Sequence, residues 1–488
     1  MMLTRRPYTI LPYRFMRFGS EILLVNEAGE YIFLSEDECS RLWNYKLGAK
    51  DEVFLNLKNK HIVTDTDPTL PIYLLATKYR TKKSFLTDFT ALHIFIITLR
   101  CNQKCRYCQA GSEDETRTEF DMDTQTAKKC VEMVFKSPSP AIKIEFQGGE
   151  PLLNFDTVKC VVRYAEKLNK LHRRKLEFVI CTNLLAINDE ILKHFENHNI
   201  SVSTSLDGPK EIHDSNRITR KGSGTYDIVS RNIKLAKETL GNHRVDSLMV
   251  TTKNSVYRLK EVIDEYVRQD MSSIFIRMLH PFGRAAMESL GYDLDLFIAN
   301  YKKALDYIIR LNLDGVRIME QYAAIILGKI LTPFPGGFVD LQSPAGTGIS
   351  CAVYGYNGDV FVSDEARMLS KMGDNRFLMG NVHKQSYKGI FGGPVIRETV
   401  ENSCVESLPQ CSECAFQMYC GADPVRNYYV WNDLVGHRPT SEFHRLNYSI
   451  ISYLMELIRE NQPEVMNVFW SWITNRSIDE IKGLSRGK

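Results

Sequence analysis

Thiols supply the first chemistry available to this chain. Twelve cysteines occur in 488 residues, and eight fall in two groups: Cys101, Cys105 and Cys108, then Cys351, Cys404, Cys411, Cys414 and Cys420. Clustered cysteines in a long chain without a secretion signal point to metal or iron–sulfur ligation rather than to a disulfide framework. The run CNQKC-RY-C puts Cys101, Cys105 and Cys108 on one short loop. Three such thiolates suit three corners of a cubane cluster and leave one iron open to another ligand. A zinc site would want a fourth protein ligand close by. The nearest candidate, His93, lies inside an expected strand and points away. Cys39, Cys130, Cys160 and Cys181 stand singly in apolar patterns. They read as buried structural cysteines, because a free thiol behaves as a small hydrophobe.

The elements that must position these thiols form a repeating pattern. Apolar runs at His93–Leu99, Ile142–Phe146, Leu176–Ile180, Ser201–Leu206, Ser247–Thr251 and Ile274–Leu279 read as strands. Helical periodicity lies between them, at Thr124–Phe135, Phe155–Leu171, Asp189–Glu196, Thr225–Thr239 and Tyr257–Arg268. Strand–helix alternation of this kind predicts an α/β fold with a parallel sheet. Six units are too few for a closed eight-fold barrel, so an open partial barrel over residues 86–284 is expected, with its active residues at the carboxyl ends of the strands. Residues 1–85 predict a small α+β unit. Ile22–Val25 and Tyr31–Leu34 form a hairpin, a helix from Ser35 to Trp43 and another at Asp51–Leu57 follow, and a strand closes near Ile62-Val63. That unit either packs on the enzyme or binds peptide at a strand edge. Residues 285–345 predict helices at Leu294–Leu311 and Met319–Leu327. Residues 346–440 form a cysteine-rich, irregular region with short strands near Val353–Tyr356 and Val360–Val362, and 441–488 a helical tail whose apolar face covers the core.

Composition narrows the function classes. Lys+Arg exceed Asp+Glu by 62 − 59 = 3, too small a bias for nucleic-acid or membrane-surface binding across the molecule. The longest apolar run, Leu92–Leu99, contains His93, stops at Arg100 and is too short to span a bilayer. Arginines break the N-terminal apolar run, so a secretory signal is not expected and a cytoplasmic location is.

The motif CNQKCRYC after the first strand of a six-unit barrel resembles that of the radical S-adenosylmethionine (SAM) enzymes. The likeness extends to Gln147-Gly148-Gly149-Glu150-Pro151 at the end of the second strand, similar to the family's GGEP motif. It extends also to Ser205-Leu206-Asp207-Gly208-Pro209 at the end of the fourth, with His213, Asp214 and Arg217 beyond. The resemblance implies that Cys101, Cys105 and Cys108 hold a 4Fe–4S cluster whose fourth iron is chelated by SAM. Glu150 and the Gly148–Gly149 backbone would meet the methionine ammonium, and Ser205 and Arg217 its carboxylate. Tyr107 would face the adenine, with Gln147 and Asn183 as further contacts. Here Thr182-Asn183-Leu184 stands where relatives often have Thr-Asn-Gly. The implied chemistry is one-electron cleavage of SAM, followed by hydrogen abstraction from substrate by a 5′-deoxyadenosyl radical.

The second cysteine group resembles the SPASM or twitch extension of peptide-modifying radical SAM enzymes. Cys351 and Gly358 match its first Cys and Gly, Ser363 takes the place of the next cysteine, and Cys411-x2-Cys414-x5-Cys420 matches its central triad. One auxiliary 4Fe–4S cluster is the expectation, with zinc the alternative. His444, near the place of the missing final cysteine, is the first choice for the fourth ligand. Cys351 and Cys404 compete with it, and Asp423 is more distant. Asp364, after Ser363, matches a proposed proton acceptor. YRFMRFGSEILLVNEAGEYIFLSEDE, SDEARM and CGADP make the chain similar to His-Xaa-Ser system radical SAM maturases. The resemblance implies an oxidoreductase that modifies a ribosomally made precursor peptide, a flavodoxin- or ferredoxin-like reductant, and a second radical SAM maturase as partner. The alternatives are a radical SAM enzyme acting on a small molecule and a non-catalytic iron–sulfur partner of a second maturase.

Overall fold

The structure, a computed structural model, describes residues 6–280, 282–287 and 289–486. Residues 1–5 of the arginine-broken N-terminal run lie outside the described residues. Strands β1 (Thr9–Ile10), β2 (Tyr13–Phe18), β3 (Glu21–Asn26) and β4 (Tyr31–Leu34) open the chain, and β5 (Val63–Thr64) pairs antiparallel with β1. The order β2-β3-β4 makes β3 the centre of an antiparallel sheet and leaves β2 an edge. The expected hairpin is β3–β4. Asn26 builds its turn: its side-chain oxygen accepts from the Ala28 and Glu30 N–H groups at 2.8 and 3.0 Å. The helix Glu36–Trp43 starts at Ser35 in a capping box with Glu38. Tyr8, Leu24, Cys39, Leu42, Phe54 and Leu57 give this unit a core of its own.

The barrel strands are β6 (Leu92–Thr98), β7 (Ala141–Gly148), β8 (Lys175–Cys181), β9 (Ile200–Ser205) and β10 (Val245–Val250). The expected sixth strand is divided into β11 (Ser273–Ile274) and β12 (Ile276–Arg277). Only β12 joins β10, while β11 pairs with β13 (Met319–Glu320). A buried carboxylate accounts for the break: Glu320 accepts the Ile276 N–H at 3.2 Å, along with the Tyr301 hydroxyl and the Ala323 N–H. All the strands from β12 to β6 run parallel, as the strand–helix alternation predicts.

The sheet does not stop at β6. Strand β14 (Cys351–Tyr354) lies parallel against β6 in the register Cys351↔Leu92 to Tyr354↔Phe95. Strands β15 (Asp359–Phe361) and β16 (Leu378–Asn381) continue antiparallel beyond it. The cysteine-rich region thus begins as an extension of the barrel sheet, nine strands in the order β12-β10-β9-β8-β7-β6-β14-β15-β16. Across the sheet's thickness residues alternate. On β7, Ile142, Ile144 and Phe146 are fully buried, while Lys143, Glu145 and Gln147 are half-buried on the concave face. The helices Glu442–Glu460 and Pro463–Thr474 pack against the helices Leu294–Leu313 and Gln321–Leu331, burying Phe443, Ile450, Leu454 and Ile458 as the tail's periodicity predicts. No helix among the described residues is long and apolar enough to cross a membrane.

Candidate active site

The cysteine loop leaves β6 at the carboxyl edge of the sheet and is held from both sides. Lys104 and Arg106 donate their N–H groups to the Ile218 and Asn216 carbonyls at 2.8 and 2.9 Å. Arg220 Nε donates to the Cys101 carbonyl at 2.6 Å. Arg284 reaches over the loop, with Nε 3.1 Å from the Cys105 carbonyl and Nη2 3.0 Å from Ser112 Oγ. The thiols differ in readiness to ionise. Burial pushes the Cys105 thiol up to about 11 and raises that of Cys101 further. Burial opposes ionisation of Cys108 too, but the Arg284 charge and donors from Ser112 and Ala110 outweigh it and hold the thiol below its ordinary value.

The Gly148–Gly149 pair brings the end of β7 directly under this loop. Gly149 N–H donates to the Thr98 carbonyl at 2.8 Å and Glu150 N–H to the Arg100 carbonyl at 2.7 Å. A Cβ on Gly148 would sit 2.0 Å from the Thr98 oxygen, and one on Gly149 2.2 Å from the Arg100 oxygen, so neither position admits a side chain. Glu150 is wholly buried. One carboxylate oxygen accepts from Leu152 N–H and Thr182 hydroxyl at 3.0 and 2.7 Å, and the other from Asn183 N–H at 2.7 Å. Burial outweighs these donors and pushes its carboxyl up to about 7. Asn183 Nδ2 donates to Asn102 Oδ1 at 2.8 Å and lies 3.8 Å from Cys101 Sγ, so the structure brings Asn183 to the cysteine loop. Leu184 adopts φ +61°, the left-handed conformation that glycine favours, at the position where relatives often carry one. Its carbonyl accepts from Asn232 at 2.8 Å.

Tyr107 and Arg217 converge on Asp207, a residue quoted in the fourth-strand motif without a role. The Tyr107 hydroxyl lies 2.8 and 2.7 Å from the two Asp207 oxygens. Arg217 Nε is 3.3 Å from Asp207, and its guanidinium stands over the Tyr107 ring at 5.2 Å. Ser205 ends β9, half-buried on the concave face. Gln147 donates to Glu145 at 2.6 Å, and the Cys181 thiol donates to the same carboxylate at 3.2 Å. Cys181, expected to be a structural thiol in apolar packing, therefore belongs to the polar concave face. The period-two pattern of β8 carries that placement, masked in the sequence by the apolar run before it.

The second group divides. Cys411, Cys414 and Cys420 are close enough that, beyond burial, a charge on one opposes ionisation of another. Cys351 lies instead on β14 among Glu365, Glu145, Asp364 and Asp340. The Cys404 thiol bonds the Val400 carbonyl at 3.4 Å, beside Glu406 and Lys83. His444 sits in the first turn of Glu442–Glu460, against Tyr448 and within reach of the Arg438 charge. Asp423 caps the helix Pro424–Trp431 by accepting the Arg426 N–H at 2.9 Å. Asp364 opens the helix Asp364–Lys371 and pairs with Arg367 at 2.8 Å. Arg367 in turn donates to the Ala110 carbonyl beside the first cysteine loop at 3.0 Å.

Among the described residues no three His, Cys, Asp or Glu side chains converge at metal-binding distance. In the first triad Cys105 and Cys108 make hydrogen bonds of their own, to Gln103 and Ser112. The donor set nonetheless fits an iron–sulfur cluster with a polar ligand beside it. Three thiols share one loop under a guanidinium, and Gln103 Nε2, Asn216 Oδ1 and Arg217 Nε are buried there without hydrogen-bond partners.

An open parallel barrel with a three-cysteine loop after its first strand defines a class. Residues 95–265 match the family model described as Radical SAM superfamily, and the chain belongs to that superfamily. It is similar to the cysteine-type anaerobic sulfatase-maturating enzyme of Clostridium novyi, 24% identical over 379 residues that cover 74% of this chain and 96% of the relative. The solved structure of native anSMEcpe with bound AdoMet and Cp18Cys peptide superimposes with a TM-score of 0.64 at 20% identity, covering 78% of this chain and 99% of that one. Streptococcus suis SuiB bound to precursor peptide SuiA gives a TM-score of 0.53 at 15% identity, covering 89% and 99%. At those identities the structures speak for the fold. The chain is a radical SAM enzyme related to maturating enzymes.

Proposed function

We propose that this enzyme installs a radical-made modification in a ribosomally synthesised peptide, in a system of the His-Xaa-Ser type. The carrying observation is how the N-terminal unit is seated. Its β3–β4 turn packs on the second cysteine group, where Tyr419 donates to the Gly29 carbonyl at 2.8 Å, and Arg14 of the edge strand donates to the Ser412 carbonyl at 2.5 Å. Beside that edge, Tyr13, Phe15 and Trp43 form an aromatic surface, with Phe15 and Trp43 5.5 Å apart and Trp43 donating to the Tyr13 hydroxyl. An extended peptide can add to such an edge through main-chain hydrogen bonds and lay side chains on the aromatics. Similarity to maturating enzymes supports a peptide over a small molecule.

In this reading residues 1–85 recognise the peptide, 86–284 carry the SAM site, 285–345 link, 346–440 hold the cysteines of the auxiliary centre and 441–488 form a helical tail that covers the core. Cys101, Cys105 and Cys108 hold the cluster, which when bound supplies the electron for SAM cleavage. Glu150, Gly148, Gly149, Asn183, Gln147, Ser205, Arg217 and Tyr107 bind and orient SAM. Asp364 takes a substrate proton. Cys411, Cys414 and Cys420, with His444 as fourth ligand, hold one auxiliary 4Fe–4S cluster. Cys351 and Cys404, whose surroundings are carboxylates, a carbonyl and Lys83, are weaker candidates than the sequence suggests. The reductant is a flavodoxin- or ferredoxin-like protein, the setting cytoplasmic, and a second maturase acts on the same peptide.

The test is anaerobic co-expression with a short peptide encoded beside the enzyme, followed by mass spectrometry. A mass change on the peptide that vanishes when residues 1–85 are deleted, while SAM cleavage survives, is expected. An unmodified peptide together with SAM-dependent turnover of a small molecule overturns the reading.

A further inference from the structure

Arg438 opens the turn Arg438–Thr440 just before the tail helix, and its side chain is only 4% exposed. Its Nε and Nη2 are buried without a hydrogen-bond partner. The nearby Glu442 carboxylate is taken by Arg426 at 2.5 Å. Asp423 feels the Arg438 charge but is used as a helix cap. Groups of the second cysteine site lie near Arg438 instead: its charge is close enough to act on the Cys411 and Cys420 thiols and on His444. A second buried basic group stands at the same place. Lys329 donates to the Leu341 and Cys420 carbonyls, the latter at 3.0 Å; burial pushes its ammonium down to about 7, and a negative charge on Cys420 favours the protonated form.

A buried guanidinium with unused N–H groups is costly unless an anion completes it. Three neutral thiols are not that anion. Three thiolates on an iron–sulfur core are, because the core's positive charge is smaller than theirs, and each added electron deepens the deficit. We propose that Arg438, with Lys329, is the counter-charge of an anionic metal–thiolate centre held by Cys411, Cys414 and Cys420, and that it sets how firmly the centre is held and how readily it is reduced. The inference rests on the auxiliary-cluster reading above. Arg438 acts through the ligands and is a positioning residue.

The test uses the full chain, reconstituted anaerobically with iron and sulfide, in the Cys101→Ala/Cys105→Ala/Cys108→Ala background so that only the second centre reports. Arg438→Gln removes the charge, and Arg438→Lys keeps it. Expected for Arg438→Gln is a more negative midpoint potential by redox titration with electron paramagnetic resonance, and metal affinity lower by about tenfold or more, as for other outer-shell partners. Arg438→Lys restores both. Melting gives a sign that mere structural support does not: Arg438→Gln melts below wild type when loaded and above it once the metal is stripped by chelator. Unchanged potential and affinity, or a melting shift of one sign in both states, overturns the proposal. If the second group takes zinc, the auxiliary-cluster reading fails, and tenfold weaker zinc retention in Arg438→Gln still supports the counter-charge. If a Cys411→Ala/Cys414→Ala/Cys420→Ala variant loses no metal, both fail.

Discussion

Arg217 and Asp207 form an ion pair of 3.3 Å, buried on both sides, beneath the first cysteine loop. Arg217 Nη1 also lies 4.0 Å from Cys105 Sγ. Arg217 therefore does not enter the site as a free cation. Asp207 already balances its charge, and in the proposed role Arg217 would offer a SAM carboxylate directed N–H groups in a fixed position. The Tyr107 hydroxyl and Asn216, both on Asp207, hold the pair in place.

Removing Arg217 should act twice. Arg217→Ala leaves Asp207 buried without its cation, which costs on the order of 3–5 kcal/mol of stability in a denaturant titration. It should also weaken SAM binding by ~30-fold or more, the cost of losing a charge-assisted partner in a closed site. The double variant Arg217→Ala/Asp207→Asn separates these effects. Stability should largely return and SAM affinity should not. Recovery of both would reduce Arg217 to a partner of Asp207.

Replacing Cys101, Cys105 and Cys108 together by Ala should abolish reductive cleavage of SAM to 5′-deoxyadenosine and methionine. Iron should fall from about eight per chain to about four, since each 4Fe–4S cluster holds four. Retained cleavage would remove the triad from the chemistry. Loss of all iron would mean that the second group holds none.

Asp364→Asn should leave SAM cleavage intact and lower turnover of the cognate peptide by roughly 100-fold or more, within the usual range for a general base. The pairing with Arg367 places Asp364 one residue away from the first cysteine loop, through the Arg367–Ala110 hydrogen bond. Full peptide turnover would shift attention to Glu365, whose carboxyl is raised by burial and by Asp364 and which lies 3.7 Å from Arg277.

The strand–helix alternation was legible because period-two and period-3.6 patterns are local: β6 to β10 fall within one or two residues of the apolar runs. Strand β2 has no apolar period to mark it, because Arg14 and Arg17 interrupt the pattern; both are edge residues, paired with Glu27 and Glu36. The helix Thr69–Lys82 exposes Leu70, Ile72, Tyr73 and Leu74, so it has no single apolar face to betray it. The pairing of β14 with β6 joins residues more than 250 apart, and no local pattern encodes it. Of the site, the cysteine loop and the glycine pair could be read as motifs. The partners that tune them could not. Asp207, Arg284 and Arg438 carry ordinary residue types, and only the fold brings them to the thiols.

Glu150 should leave a signature in the pH dependence of stability. Its carboxyl is raised from 4.5 to about 7, chiefly by burial. Between those values the native chain keeps a proton that the unfolded chain has released. Stability from this group is therefore full below pH 4.5 and declines as pH rises toward 7, by about 3 kcal/mol over the window. Glu150→Gln cannot titrate. It forfeits one acceptor, most simply the one facing the Asn183 N–H, at about 1–3 kcal/mol independent of pH. In the absence of SAM, the difference between wild type and Glu150→Gln in denaturant titrations should thus favour wild type most near pH 4.5 and shrink or reverse by pH 7.5. Parallel curves would mean that Glu150 is already ionised at pH 5, its three donors having outweighed burial. SAM adds a second arm. If its ammonium meets Glu150, it stabilises the carboxylate and pulls that pKa back down, so wild-type affinity for SAM should rise from pH 5.5 to 7.5. An equal rise in Glu150→Gln would place the ammonium elsewhere.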